Sequence, residues 1–189
     1  MNRNHFFLIA ISCSILFCGC HHKDGQKSSY SQETKELANL YQHADSLFYK
    51  CGKIDTAAFG QFIRKAQAFA EAHPKDAKAP EMLYKAGIGS MILAKAAPNR
   101  DLTAENAKTA LAIFYKFQEQ YPEDEHAKYC YYQRGIIYDD ILGDWRSAED
   151  QFRDFVNRYP NDSLAPQLEQ YIKLLGKTDD QIEEELNIQ

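Results

Sequence analysis

Apolar residues recur along most of the chain at spacings of three and four positions, the period of an α-helix that buries one face. One such stretch contains Leu37, Leu40, Tyr41, Ala44, Leu47 and Phe48. No stretch alternates between apolar and polar residues in the way that is typical of β-strands. The pattern therefore predicts an all-α protein.

The ends of the first two helices can be located from local signals. Ser29 is followed three residues later by Gln32, which predicts a capping box at the start of the first helix. The pair Cys51-Gly52 predicts the end of that helix, because glycine commonly follows the last helical residue. A second helix is expected to begin at residues 55–56 and to stop at residues 73–74, because proline cannot continue a helix. These two helices form an antiparallel pair.

The chain contains an internal repeat built around a proline. In each copy a phenylalanine stands five residues before the proline, an aromatic ring directly before it, and an aspartate two residues after it. The copies are residues 69–76, 117–124 and 155–162. Their prolines are 48 and 38 residues apart, and a loop-like insertion at residues 97–102 accounts for the longer spacing. The repeat unit is therefore one helical hairpin.

Further positions recur in the same register. An alanine follows each proline by five residues, and a phenylalanine precedes the second and third prolines by eight. These residues are Ala79, Ala127, Ala165, Phe114 and Phe152. Glycine recurs at Gly87 and Gly135, where a helical glycine costs about 1 kcal/mol relative to alanine. The two glycines therefore predict close approach of a neighbouring helix.

The repeated turn has a simple physical interpretation. The proline ends one helix, and the aspartate after it is expected to cap the next. A single hairpin of this kind cannot bury its apolar face alone, so consecutive hairpins must stack.

The third copy resembles the tetratricopeptide repeat. The glycine, tyrosine, alanine, phenylalanine and proline order of that repeat is matched by Gly135, Tyr138, Ala148, Phe152 and Pro160. One residue more than usual lies between Gly135 and Ala148, and Phe155 replaces a small residue.

The variant from Phe152 to Ala165 is similar to the repeats of the BamD-like outer-membrane assembly lipoproteins. Nearly the same repeat occurs in the Tol-Pal-associated coordinator proteins. The resemblance covers about residues 37–176 and implies a right-handed superhelix of stacked hairpins. This chain has room for about three repeats plus a terminal helix, whereas BamD-like proteins usually carry five.

The N-terminal segment has the features of a secretion signal. Arg3 precedes an uncharged run at residues 6–17, whereas a membrane-spanning helix needs about 20 residues. Residues 16–20 resemble a bacterial lipobox, which implies cleavage before Cys20 and lipidation of Cys20. The alternative is an ordinary secretory signal that is cut before an unmodified Cys20.

These features divide the chain into four expected parts. They are a lipoprotein signal peptide at residues 1–19, a flexible tether at 20–32, a tetratricopeptide-like repeat domain at 33–176 and an acidic C-terminal capping helix at 177–189. The expected location is the bacterial cell envelope, on the outer membrane and facing the periplasm.

Composition and charge exclude several classes of protein. Hydrophobic residues at 44% and charged residues at 26% are typical of a folded globular chain. The net charge of −5, without a basic stripe, argues against nucleic-acid binding. Beyond the signal and Cys20, the chain has two further cysteines, Cys51 and Cys130, and they could form a disulfide or remain as buried thiols.

No catalytic, metal or cofactor site is predicted. Residues 176–178 share Gly-Lys-Thr with a phosphate-binding loop, but Tyr171 stands where that loop needs a glycine. Thr178 and Gln181 instead predict a capping box. Residues 21–22 offer two histidines without a third ligand, and residues 139–144 lack the alternating oxygen ligands of a calcium loop.

In the proteins that this repeat resembles, the first helix of each hairpin lines a concave face on which partner peptides dock. The register of the two glycines implies that this face consists of Glu81, Tyr84, Ile88, Met91, Tyr129, Tyr132, Ile136 and Asp139. Tyrosine suits both a partner interface and ordinary packing, so the alternative is that these rings pack between hairpins. The residues assigned to the core are Phe114, Phe117, Phe152, Phe155 and Trp145.

Two hypotheses of function follow. The first is a lipid-anchored scaffold that binds envelope proteins or their peptide segments, in outer-membrane protein assembly, and that is not an enzyme. The acidic chain should favour an apolar or basic segment. The second is a lipoprotein ligand carrier or enzyme whose site lies among residues interpreted as structural. A closed pocket with paired ionisable groups would favour the second hypothesis.

Overall fold

The computed structural model of the protein describes residues 24–51, 54–178 and 180–181. Over these residues the chain is helical and contains no strand, which confirms the prediction of an all-α helical-repeat fold. The elements are α1 (Asp24–Cys51), α2 (Thr56–Ala72), α3 (Ala79–Lys95), α4 (Arg100–Gln120), α5 (Tyr129–Ile136), a π-helical segment (Ile137–Leu142), α6 (Trp145–Arg158) and α7 (Ala165–Leu174). None of the described helices is both long enough and apolar enough to cross a bilayer.

The N-terminal helix is longer than the sequence predicts. It begins at Asp24 rather than at Ser29, so residues 24–32 of the expected tether are helical. No proline interrupts this stretch, so its backbone can continue the helix. The expected signal peptide and Cys20 lie outside the described residues, as do residues 182–189 of the expected capping helix.

The three proline turns share one backbone geometry. In the third turn the Tyr159 amide donates to the Phe155 carbonyl at 2.8 Å, and Asp162 Oδ1 accepts the Leu164 amide at 3.0 Å. The other two turns make equivalent bonds. The prediction that the aspartate caps the next helix is wrong, because α7 begins only at Ala165. The aspartate instead closes a separate turn that precedes the helix.

Each helical glycine of the repeat contacts a phenylalanine of the same hairpin. A Cβ atom on Gly87 would lie 2.6 Å from Cε1 of Phe114. A Cβ atom on Gly135 would lie 2.5 Å from Cζ of Phe152. Both rings are fully buried. The predicted close approach is therefore confirmed, and it explains why glycine stands at this position in both helices.

The phenylalanines assigned to the core are buried, whereas Trp145 is not. Phe114 and Phe117 belong to the main cluster, and Phe152 and Phe155 belong to a second cluster beside it. Trp145 is half-buried at the start of α6, where its ring contacts Gly176 in the turn after α7. Gly176 has a left-handed φ of 71°, so the turn itself also favours glycine.

The π-helical segment accommodates the additional residue of the third hairpin. Hydrogen bonds in a π-helix span five residues rather than four, so one turn takes up an extra residue between Gly135 and Ala148. Gly143, with a φ of 69°, ends the segment.

The insertion of the second hairpin lengthens its helices. The 21-residue helix α4 begins at Arg100, where Asn99 caps it by accepting the Leu102 amide at 2.9 Å. Residues 100–102 are therefore helical rather than part of the predicted loop.

Candidate functional site

The predicted partner-binding residues lie on two helices of neighbouring hairpins. Glu81, Tyr84, Ile88 and Met91 occupy α3, and Tyr129, Tyr132, Ile136 and Asp139 occupy α5 and the π-helical segment. We call these eight residues the α3–α5 face. Within each helix they are three or four residues apart and therefore share one side. Gln133 Nε2 donates to the Tyr84 hydroxyl at 3.3 Å and joins the two helices.

Tyr84 serves mainly as a packing residue. Its ring centroid lies 5.7 Å from those of Phe114 and Phe117 and 4.6 Å from that of His126. Burial raises the pKa of Tyr84 to about 12. The ring therefore joins α3 to α4 and to the following turn, and only part of it faces solvent.

Glu81 is engaged by two lysines. Its carboxylate accepts from Lys85 Nζ at 2.7 Å and from Lys78 Nζ at 2.9 Å. These hydrogen bonds lower the pKa of the Glu81 carboxyl, with Lys85 as the larger cause. Lys85 also lies 5.0 Å from the ring centroid of Tyr41 on α1. The charge of Glu81 is thus balanced within the protein.

The residues of α5 provide the apolar part of the face. Tyr129, Tyr132 and Ile136 are half-buried and pack against the second cluster. The Tyr132 ring lies 6.2 Å from that of Phe152. Lys128 Nζ lies 4.8 Å from the Tyr129 ring. Each of these side chains combines a packed portion with an exposed portion.

Met91 and Asp139, the last members of the face on their helices, are engaged by other parts of the protein. Met91 is only 8% exposed and belongs to the main core cluster, so it presents little surface to a partner. Asp139 accepts a hydrogen bond from the Tyr171 hydroxyl of α7, which raises the pKa of Tyr171. Lys95 and Asp140 form an ion pair of 3.3 Å beside an open hollow of about 380 Å³.

Several residues of this region were not predicted from the sequence. Lys85, Gln133 and Tyr171 each bond to a member of the face from another position or another helix. Only Lys85 had a local signal, because it lies four residues after Glu81 on a helix. The other two pairs join separate hairpins and depend on how the hairpins stack.

The cysteine and capping predictions have clear outcomes. Cys130 is buried and free, so it forms no bridge to Cys51. Burial raises the pKa of the Cys130 thiol to about 12, which disfavours the reactive thiolate.

The predicted capping box is confirmed: the Thr178 amide donates to Gln181 Oε1 at 2.9 Å, and the Gln181 amide donates to Thr178 Oγ1 at 3.4 Å.

In the part of the chain that the structure describes, no cluster of three or more His, Cys, Asp or Glu side chains could hold a metal ion. Both charged members of the α3–α5 face are engaged within the protein, Glu81 by Lys85 and Asp139 by the hydroxyl of Tyr171.

Comparison with known families supports the repeat assignment. Residues 129–162 match the family model of the tetratricopeptide repeat. The match spans α5, the π-helical segment, α6 and the turn around Pro160. A comparison with curated proteins found no match. The third hairpin is thus a tetratricopeptide repeat, a unit that commonly binds protein partners.

Proposed function

We propose that the protein is a lipid-anchored helical-repeat scaffold that binds partner proteins in the bacterial cell envelope, where it serves outer-membrane protein assembly. The observation that carries the proposal is the α3–α5 face of a chain with a tetratricopeptide repeat. Ile88, Tyr132 and Ile136 provide half-buried apolar surface on this face. Apolar and aromatic side chains of this kind are typical anchors of protein interfaces.

The charges around this surface indicate the chemistry of the partner. Glu81 is held by two lysines, and Asp140 is paired with Lys95. Since these charges are already balanced, a strongly charged segment would gain little from them. The face therefore favours a partner segment whose apolar side chains contact Ile88, Tyr132 and Ile136, with polar groups at its rim.

Position-specific crosslinking tests the binding face. Tyr132 is replaced by p-benzoylphenylalanine, cells are irradiated, and the crosslinked product is identified by mass spectrometry. Asn157, an exposed residue of α6, is the matched control position. We expect an envelope protein to crosslink at position 132. Ile136→Asp should abolish the product in a variant that is still folded by circular dichroism, although its melting temperature should fall because Ile136 packs against the second cluster. Equal crosslinking at both positions would contradict binding at the α3–α5 face.

Fractionation tests the anchor. The lipobox-like residues 16–20 and the short apolar run before them support lipidation of Cys20. Cys20→Ser should release the protein from the membrane fraction or leave it uncleaved. Unchanged processing and attachment in that variant would remove the anchor from the proposal.

A further inference from the structure

Arg134 is a buried cation on α5, with 2% of its surface exposed. Its hydrogen-bond partners are two neutral glutamines. Nε donates to Oε1 of Gln151 at 2.7 Å, and a terminal nitrogen donates to Oε1 of Gln118. Two tyrosine rings complete the site, with Cζ 4.0 Å from the centroid of Tyr115 and 4.8 Å from that of Tyr131.

We call these four partners the Arg134 cage: Tyr115, Gln118, Tyr131 and Gln151. Tyr115 and Gln118 belong to α4, and Gln151 belongs to α6. Gln118 is itself fixed, because its Nε2 donates to the Ala127 carbonyl at 2.8 Å. The guanidinium therefore joins α5 to the helix before it and to the helix after it.

Helix α5 needs such a connection because its own ends are weakly specified. It has eight residues, and its N-terminal cap, Lys128, makes no side-chain capping bond. Its C-terminal end continues into the π-helical segment instead of stopping at a cap. Capping interactions thus do not set the rotation of α5 about its axis, which depends on the side chains that α5 packs against its neighbours.

Arg134 lies on the opposite side of α5 from the partner-binding residues. It is two residues from Tyr132 and two from Ile136, which corresponds to about 200° around an α-helix. When the guanidinium is held in its cage, Tyr132 and Ile136 must point to the other side. A small rotation of α5 would change how much of both side chains faces solvent.

We propose that Arg134 is a positioning residue: its caged guanidinium sets the rotation of α5 and thereby the presentation of Tyr132 and Ile136. The consequence for partner binding rests on the proposed function, whereas the effect on Tyr132 does not. A planar guanidinium stacks on tyrosine rings through its faces while its edge donates to two glutamines. Lysine carries the same charge but lacks the plane and the fork of donors, so it cannot replace arginine here.

Fluorine NMR of protein labelled with 3-fluorotyrosine tests the proposal without any partner. The Tyr132 resonance is assigned from its loss in Tyr132→Phe. In Arg134→Lys we expect this resonance to shift or broaden and the melting temperature to fall by about 5 °C. The matched control is Arg153→Lys, since Arg153 is an exposed arginine of α6 that pairs with Glu149. The control should leave both readouts unchanged.

Chemical rescue distinguishes positioning from general stabilisation. In Arg134→Ala, millimolar methylguanidinium should restore the Tyr132 resonance, whereas the same concentration of methylammonium should not. If Arg134→Ala does not fold, Tyr115→Leu removes one half-exposed wall of the cage and should move the resonance in the same direction. A lower melting temperature with an unmoved Tyr132 resonance in Arg134→Lys would overturn the proposal. Failure of crosslinking from p-benzoylphenylalanine at position 132, in a protein that keeps Arg134, would instead count against the proposed function alone.

Discussion

The contact between Gly135 and Phe152 predicts that Gly135→Ala destabilises the protein, which is the opposite of the usual effect of this substitution in a helix. In a helix interior, Gly→Ala normally stabilises by about 1 kcal/mol. At Gly135 a Cβ atom would lie 2.5 Å from Cζ and 2.6 Å from Cδ1 of Phe152, and closer still to Cε1. The ring is fully buried, so it has little room to move away. Overpacking of this kind typically costs about 1 to 3 kcal/mol and occasionally more.

The balance of these two effects predicts a graded series. Contacts this short fall at the upper end of overpacking, about 3 kcal/mol, and the better helix propensity of alanine offsets about 1 kcal/mol of it, so we expect Gly135→Ala to lower the free energy of unfolding by about 2 kcal/mol. Gly87→Ala should lower the free energy of unfolding by a smaller amount, because the atom nearest to the new Cβ, Cε1 of Phe114, would be 2.6 Å away. Gly60→Ala is the control: its Cβ would first meet Arg64 Nη1 at 3.6 Å, an ordinary contact. That variant should be stabilised by about 0.5 to 1 kcal/mol.

Urea unfolding followed by circular dichroism measures the free energy of unfolding of all three variants. A loss of 1 kcal/mol corresponds to a decrease in melting temperature of about 2 to 4 °C for a chain of this size. Phe152→Leu combined with Gly135→Ala should recover part of the loss, because the smaller side chain relieves the contact. If Gly135→Ala proves as stable as Gly60→Ala, the stacking of α5 on α6 described above is incorrect.

Three further predictions concern packing, pH and the binding face. Phe152→Ala and Phe114→Ala should each lower the free energy of unfolding by about 3 to 5 kcal/mol in denaturant titrations, and losses below 1 kcal/mol at both would show that the repeat register is wrong. Because burial raises the pKa of Tyr84 to about 12, its stabilising contribution is present below pH 10 and is lost as the pH rises from 10 to 12; Tyr84→Phe should reduce that decrease in pH-dependent unfolding. Tyr132→Ala should weaken crosslinking of the partner at a nearby position and lower the melting temperature by less than Phe155→Ala, because only part of the Tyr132 ring is packed. Phe155→Ala should reduce both crosslinking and stability, and equal losses in melting temperature would mean that Tyr132 serves only packing.

The repeat and its helices could be predicted from the sequence because their signals are local. Proline ends a helix wherever it stands, and the apolar period of three and four appears within a single helix. The close approach of a neighbouring helix at Gly135 was also predicted, since a mid-helix glycine at a repeated position needs a packing reason, whereas only the structure identifies Phe152 as the side chain that it meets. The reciprocal bonds of Thr178 and Gln181 likewise depend only on residues three positions apart.

Other features were decided by the tertiary structure. The sequence assigns Met91 to a surface and Trp145 to the core, but neighbouring helices bury Met91, and the half-buried Trp145 lies against the turn at Gly176. The bond from Tyr171 to Asp139 joins α7 to the third hairpin. No local pattern reveals such a pair, because it exists only after the hairpins have stacked.

Arg134 shows the distinction most clearly. In the sequence it is one more charged residue of a short helix, and nothing beside it indicates burial. Its partners stand 16 and 17 residues away, in two different helices. A charged group can be buried only where several separate segments supply its hydrogen bonds together, and those segments meet only in the folded chain. The sequence by itself therefore determined the hairpins, and the packing between them decided which side chains are buried and which remain at the surface.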